Sequence, residues 1–219
     1  MKNHVLMIIS CSILLPSAVL SQGGMKTFKA VQAKDSDFCE YPDEQEPGQP
    51  GGIWFMPGCS WYCGGSVDGF SASSELQGRD SLDYMAENIH DFDLETAWVE
   101  GREDYGIGEY VVYTLDTREK GDHALGVTTI ILANGYKKTR RLWELNSRVK
   151  KIRMFVDEKS YAVLELLDSF EIQTISIGEI MLPKKGIMRF KFEIADVYPG
   201  KKYKDTAITE LVFDGVGVH

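Results

Sequence analysis

We predict an all-β fold, an antiparallel β-sandwich, from two patterns in residues 67–219. The first is a series of short segments rich in Val, Ile, Thr and aromatic residues, each bounded by Gly, Asn, Asp or Pro. The second is the lack of long helical periodicity, since only residues 81–89 have the character of a helical turn. Many short strands separated by turns are typical of sandwiches and barrels with Greek-key connections.

The first 21 residues have the features of a secretory signal peptide. Lys2 precedes an apolar run over 5–15, and Ser21 is a small residue suited to a cleavage site before Gln22. The run is too short to span a bilayer. Lipidation at Cys11 is an alternative, but the apolar run continues past Cys11. We therefore expect a secreted protein, extracellular or periplasmic or associated with the cell surface, without membrane insertion of the mature chain.

An extension precedes the sandwich. Residues 22–52 are polar and rich in Pro and Gly, which predicts a flexible leader because little apolar surface is available for burial. Residues 53–66 contain aromatic residues beside Cys and Gly, and we expect them to form a segment that caps a neighbouring sheet. The alternative is an exposed platform on which sugar rings stack, because Trp and Tyr faces suit this contact.

Secretion makes a disulfide the expected state of the cysteines that remain after cleavage. Cys39, Cys59 and Cys63 allow three single pairings and leave one thiol over, so the sequence does not decide the pairing. A zinc site would need a fourth ligand, such as Asp37 or His90. The extension is therefore predicted to contain one disulfide.

Alternation of apolar and polar residues is clearest near the C-terminus. Met188, Phe190, Phe192 and Ile194 alternate with charged residues, which places one face of a strand in a core and the other in water. The remaining strands are predicted at 110–115, 127–132, 152–156, 161–166, 172–177 and 208–213.

The net charge excludes some partners. Removing the signal peptide leaves 23 basic and 33 acidic residues, since it contains one of the 24 basic residues and no acidic one, so the mature charge is −10. Nucleic acids and anionic membranes attract basic surfaces, so we expect neither as a primary partner. No HExxH, G-x-S-x-G or P-loop pattern occurs, and the chain is therefore predicted not to be an enzyme.

Several motifs resemble a known family. SASSEL at 71–76, DFDLETAW at 91–98 and GIGEY at 106–110 are similar to the discoidin or coagulation-factor C-type domain. ANGY at 133–136, LNSRVKKIRMFVD at 145–157 and VYPGKKYKDTAITEL at 197–211 resemble its bacterial NADase-type branch, a glycan-binding translocation domain attached to an NAD glycohydrolase. The resemblance implies a galactose-binding-like, jelly-roll β-sandwich with a binding role and without the catalytic domain.

The resemblance also implies a structural Ca²⁺. The matching ligand positions are Asp91, Asp93, Thr96 and Glu210, and oxygen groups of this kind suit a cation that takes roughly six to eight oxygen ligands. The sequence departs from the family at Phe92, where Gly is common; Phe adopts left-handed conformations less readily, so we expect a different loop. The alternative is an Asx-type turn without metal.

A glycan or glycoprotein ligand is the partner that we expect. The candidate binding residues have aromatic or polar side chains at loop-like positions: Tyr105, Asn134, Tyr136, Trp143 and Arg148. Each has a structural alternative; Asn134 begins a turn signal with Gly135, and Arg148 is suited to pairing with an acidic neighbour. The competing hypothesis is a protein-interaction or adhesion module of an exported complex, because the fold class hosts many kinds of ligand.

Overall fold

The computed structural model describes residues 25–34, 67–78, 82–119 and 124–217. These residues form strands β1 (Lys26–Lys29), β2 (Val31–Gln32), β3 (Val67–Ala72), β4 (Trp98–Val99), β5 (Tyr110–Asp116), β6 (Gly126–Asn134), β7 (Ser147–Val156), β8 (Lys159–Glu165), β9 (Gln173–Met181), β10 (Ile187–Tyr198) and β11 (Thr206–Val216). A 3-10 helix covers Ala86–Ile89, and helix α1 covers Arg140–Leu145. The predicted all-β class and each of the seven predicted strand regions are confirmed.

The strands form two layers. One layer has the order β2-β9-β6-β11, with β4 on the free side of β11, and the other has the order β3-β5-β10-β7-β8-β1. A short parallel pairing of β7 and β11 joins the layers at Ser147 and Thr206. All other pairs between strands are antiparallel, except that β1 runs parallel to β8.

The core lies between the layers. Phe213 of β11 packs at 5.6 Å from Phe190 and 5.0 Å from Tyr113, ring centroid to ring centroid, and these two partners belong to the opposite layer. All three side chains are fully buried. The alternation predicted for β10 is confirmed, because Phe190, Phe192 and Ile194 are buried while the residues between them are not. Burial of these side chains stabilises the sandwich.

The predicted flexible leader needs a correction. Within 22–52, β1 pairs with β8 and β2 pairs with β9, so a single short segment adds a strand to the edge of each layer. Ala30, between the two strands, is buried, and its N–H donates to the Glu165 carbonyl at 2.9 Å. The polar composition concealed these strands because their partners lie far away along the chain. Residues 35–66 lie outside the described part, including Cys39, Cys59 and Cys63 and the expected capping segment.

Several of the connecting loops lie together at one end of the sandwich. Strand β6 ends there, strands β7, β9 and β11 begin there, and the last residue of β10, Tyr198, pairs with Arg148. We call this the loop end; its segments are 100–109, 135–146, 166–172 and 199–205. No helix within the described residues is long and apolar enough to cross a membrane.

Candidate functional site

Asn134 links β6 to β7 at the loop end. Its Nδ2 donates to the Val149 carbonyl at 2.7 Å, and its Oδ1 accepts from the Val149 N–H at 3.0 Å. Its own carbonyl accepts from Trp143 Nε1 at 2.8 Å. Both side-chain groups of the buried amide are thus satisfied by protein. These bonds support a structural role for Asn134.

Trp143 and Arg148 form a stack beneath the loop end. The Arg148 guanidinium lies 4.5 Å from the centroid of the Trp143 ring, and both residues are buried. The same guanidinium donates to Asp168 through Nε at 2.9 Å and Nη2 at 2.8 Å, so the expected acidic neighbour of Arg148 is Asp168. Gly135, with φ of +83°, makes room for the stack, because a Cβ there would lie 2.5 Å from Arg148 Cγ.

Of the two candidate tyrosines, Tyr105 has the more accessible ring. Tyr136 is buried and packs edge-on against Tyr84 at 6.1 Å. Tyr105 is half-buried; its carbonyl accepts from Thr206 Oγ1 at 2.9 Å, and Lys204 Nζ lies 5.9 Å from its ring. The contacts favour structural roles for Asn134, Tyr136, Trp143 and Arg148 and leave Tyr105 as the least buried of the five candidates.

A shallow, open depression lies next to Tyr105. Gly101, Arg102, Glu103 and Asp104 line it, and these residues are exposed. Tyr203, on the adjoining loop, is 38% exposed, and Lys202 Nζ lies 4.7 Å from its ring. Tyr203 is thus a second tyrosine of the loop end with an accessible side chain, and sequence reasoning did not select it.

Glu100 fixes the backbone of the segment that lines this depression, and the sequence alone did not indicate this role. It is buried; Oε1 accepts from the Thr206 N–H at 3.1 Å and Oε2 from the Arg102 N–H at 2.8 Å. Burial raises the pKa of the Glu100 carboxyl, and these two hydrogen bonds oppose that rise. The carboxylate thus fastens the 101–106 loop to β11. No local pattern indicated this role, since one of the two partners, the Thr206 N–H, lies 106 residues away in the sequence.

The loop that carries Asp91 is shaped by two Asx turns. Asp91 Oδ1 accepts from the Asp93 N–H at 2.9 Å, and Asp93 Oδ1 accepts from the Glu95 N–H at 2.8 Å. Thr96 Oγ1 donates to Asp91 Oδ2 at 2.7 Å. The structure therefore contains the hydrogen-bonded turn that we considered as the alternative to a metal site.

Phe92 adopts the conformation that glycine would take. Its φ is +64°, so Phe92 adopts the left-handed conformation that is less favourable for a residue with a side chain. The ring packs on Ile131 and Val212, on the outer side of the β6–β11 layer, and lies 5.1 Å from the His90 ring. This apolar contact offsets the cost of a left-handed backbone, about 1 kcal/mol for a residue with a side chain.

Glu210 brings a second carboxyl group to this loop from β11. Its side chain is 0% exposed, and neither carboxyl oxygen has a hydrogen-bond partner. The oxygens face the Asp91 carboxyl and the N–H groups of Phe92 and Asp93, none of which approaches with hydrogen-bond geometry. Burial raises the pKa of Glu210 to about 10, and Asp91 adds to the rise.

A buried carboxyl group without partners is costly unless it takes up a proton or faces a cation. Calcium suits this position, because it binds carboxylate and hydroxyl oxygens. The carboxyl groups of Asp91 and Glu210 are neighbours, and the Thr96 hydroxyl donates a hydrogen bond to Asp91. The Asp93 carboxylate instead accepts from the Glu95 N–H. Within the described residues, no group of three or more His, Cys, Asp or Glu side chains is arranged to hold a metal.

Comparison with known proteins agrees with this architecture. The family model of the NAD glycohydrolase translocation F5/8 type C domain matches residues 61–214. The chain belongs to this family. The matched residues of this F5/8 type C domain begin before β3 and end within β11, and they contain the Asp91 loop and the loop end.

Solved structures share the fold at low identity. A structure of the CBM32-1 and CBM32-2 domains of Clostridium perfringens ZmpB in complex with GalNAc is 11% identical with a TM-score of 0.51, covering 86% of this chain and 39% of that one. A second structure of the same two domains is 12% identical with a TM-score of 0.51, covering 90% and 43%. The chain thus spans about two fifths of these structures. No curated protein matches the sequence.

Proposed function

We propose that this F5/8 type C domain is a glycan-binding module of an exported protein, without catalytic activity of its own. The observation that supports a sugar ligand is the open depression lined by residues 101–104, which Tyr105 follows directly in the chain, together with the exposed Tyr203 on another segment of the loop end. Tyrosine rings stack on the apolar faces of sugar rings, and Arg102, Glu103 and Asp104 offer donors and acceptors to hydroxyl groups. One structure that shares the fold is described as a complex with GalNAc.

The surroundings of His90 support the absence of catalysis. His90 Nδ1 lies 3.1 Å from the Leu211 carbonyl, and burial lowers the pKa of the imidazole to about 4. The neighbouring Asp91 carboxylate accepts from Asp93 and Thr96. A general base must reach a substrate proton, and both groups are instead engaged within the protein.

Calorimetric titration with GalNAc and with a panel of neutral glycans tests glycan binding. We expect Tyr105→Ala and Tyr203→Ala each to weaken binding about tenfold, which corresponds to about 1.4 kcal/mol. Tyr110→Ala is the matched control, because Tyr110 is a half-buried tyrosine with Lys191 Nζ 5.0 Å from its ring, on the face of a sheet. Absence of binding to every glycan, or an equal loss in the control, contradicts the proposed site.

We further propose that Asp91 and Glu210 hold a structural calcium ion, with Thr96 and Asp93 shaping the loop around it. The unpartnered Glu210 oxygens support this assignment. At a calcium concentration about a hundred times the Kd, binding stabilises a fold by ~2.7 kcal/mol. We expect the Tm to rise with calcium and fall with EDTA in the wild type, and not in Glu210→Gln.

Glu100→Gln is the control for calcium, because Glu100 is also buried but has both oxygens hydrogen-bonded. It should keep the calcium dependence of the wild type. A wild-type Tm that does not respond to calcium would instead favour a carboxyl pair of Asp91 and Glu210 that shares a proton.

The proposed export route rests on the predicted signal peptide and is tested separately. We propose cleavage after Ser21, a leader over the rest of 22–52, and a capping segment at 53–66 with one disulfide among Cys39, Cys59 and Cys63. N-terminal sequencing of exported protein should begin at Gln22, and mass spectrometry without reduction should find one free thiol. A mature N-terminus elsewhere, or three free thiols, contradicts this organisation.

A further inference from the structure

Two cations lie on one aromatic ring at the loop end. Lys137 Nζ is 4.7 Å from the centroid of the Phe170 ring, and the Arg140 guanidinium is 4.6 Å from the same centroid. Trp143 meets the ring edge-on at 5.8 Å. Phe170 is half-buried, Arg140 is exposed and Lys137 is buried, so the cluster extends from the protein surface inwards.

The charges in this cluster do not balance. Arg148 makes a close ion pair with Asp168 at 2.8 Å, whereas Arg140 is 3.8 Å from Glu171, beyond hydrogen-bond distance. Within the described part of the chain, Lys137 forms no salt bridge. Glu144 also interacts with the charges of Arg140 and Arg148, but its carboxylate accepts from Lys201 at 2.6 Å, so Lys137 remains the cation of this cluster without an ion pair.

Lys137 is the cation with the poorest compensation. Lys137 is 8% exposed, and its ammonium donates one hydrogen bond, to the Phe170 carbonyl at 2.6 Å. Burial lowers the pKa of Lys137 to about 8, and the Arg140 charge acts in the same direction, whereas Glu171 opposes it. An ammonium has three N–H donors, and the Phe170 carbonyl accepts from one of them.

The backbone around the cluster is held in place before any ligand arrives. The Lys137 N–H donates to Thr209 Oγ1 at 2.9 Å, and the same hydroxyl donates to the Gly135 carbonyl at 2.7 Å. Arg140 begins α1, and the preceding Thr139 caps that helix by accepting from the Leu142 N–H at 3.1 Å. The two cations are thus attached to fixed points of the fold, which reduces the entropy lost on binding.

We propose that Lys137 and Arg140 bind the carboxylate of an acidic sugar. A carboxylate has one negative charge, which matches the charge of the Lys137 ammonium. Its two oxygens can accept from the Lys137 ammonium and from the planar guanidinium of Arg140. This inference rests on the proposed glycan-binding function and names the class of sugar. A sulfate ester has the same charge, and the ligands in the test separate the two sources.

The experiment compares ligands that differ in one group, using the full mature chain. Calorimetry measures binding of a neutral galactoside, the corresponding galacturonide and a 6-O-sulfated galactoside. We expect the galacturonide to bind at least tenfold more tightly than the neutral sugar, with the sulfated sugar weaker than the galacturonide. Equal affinity for neutral and acidic sugars overturns the inference, and tighter binding of the sulfate overturns the assignment to a carboxylate.

Arg140→Gln tests the residues, with Arg141→Gln as the matched control. Arg141 is the next residue of α1, is also exposed, and loses the same charge on substitution. Arg140→Gln should abolish the preference for the galacturonide and leave neutral-sugar affinity unchanged, whereas Arg141→Gln should retain the preference. An equal loss in both variants would indicate general electrostatic attraction and would overturn the site.

A measurement without a glycan separates this inference from the proposed function. NMR of the Lys137 side chain during titration with acetate, a carboxylate that is not a sugar, should show a saturable shift and a rise in its pKa, because a bound carboxylate favours the ammonium form. If no glycan binds, neutral or acidic, but this shift occurs, the glycan-module proposal fails and the carboxylate site stands. If neutral glycans bind and no shift occurs, the carboxylate site fails alone.

Discussion

Acidification provides a direct test of how His90 is packed. The imidazole lies among the rings of Phe70, Phe92 and Tyr113, with centroid distances of 5.2, 5.1 and 5.7 Å. Burial lowers its pKa from 6.5 to about 4, although the Leu211 carbonyl and Asp91 both favour the charged form. The folded protein therefore keeps His90 neutral at a pH where the unfolded chain protonates it.

The sign and size of the effect follow from this difference in pKa. Below pH 6.5 the unfolded state gains a proton that the folded state does not, so the free energy of unfolding falls as the pH falls. Each unit of pKa difference is worth about 1.4 kcal/mol, so His90 should cost ~2 kcal/mol at pH 5 and ~3 kcal/mol near pH 4. For a domain of this size, ~2 kcal/mol lowers the Tm by about 4–8 °C.

The assay compares the wild type with His90→Gln, which cannot titrate. Urea unfolding at pH 7.5, 6 and 5 should show that the wild type loses ~2 kcal/mol more than the variant between the first and last pH. Constant effects of the substitution and the titration of other groups cancel in this difference. Equal pH dependence in the two proteins would refute the buried, neutral state of His90.

Three substitutions or deletions test other parts of the fold by thermal or chemical unfolding. Gly135→Ala should destabilise by more than ~1 kcal/mol, because its φ is +83° and a Cβ would lie 2.5 Å from Arg148 Cγ; unchanged stability would contradict this backbone. Phe92→Gly should destabilise by about 1 kcal/mol, since lost packing exceeds the relief of a left-handed backbone; a more stable variant would reverse that balance. Deleting residues 25–34 should lower the Tm and promote self-association through the exposed edges of β8 and β9; a monomer of unchanged Tm would show that the two edge strands are dispensable.

Local patterns sufficed for the strands that alternate or are rich in β-branched residues. Residues 188–198 were predicted from a period of two and form β10 with that face in the core. Helix α1 has six residues, too few to establish a helical period, and was therefore missed. Strands β1 and β2 lie in a polar leader, and their partners are determined by distant edges, which local composition does not encode.

Residue type predicted correctly that the candidate side chains lie at one end of the sandwich, but it did not predict whether they are exposed. Asn134, Trp143 and Arg148 do cluster at one end of the sandwich, but their polar groups bond to protein. Residue type indicates that a side chain can bind a sugar, whereas burial depends on which strands converge around it. The role of Glu100 was not predicted for the same reason, because its hydrogen-bond partners are the backbone N–H groups of Arg102 and Thr206.

The sequence by itself determined the all-β class, the seven principal strand regions and the family resemblance, because alternation and motif spacing are local properties of the chain. The tertiary structure alone decided which charges lack partners. Lys137 meets Phe170, and Asp91 meets Glu210, only when strands and loops distant in sequence converge. Burial and charge balance depend on which segments come together in the folded chain, and they determine where the protein can accept a ligand.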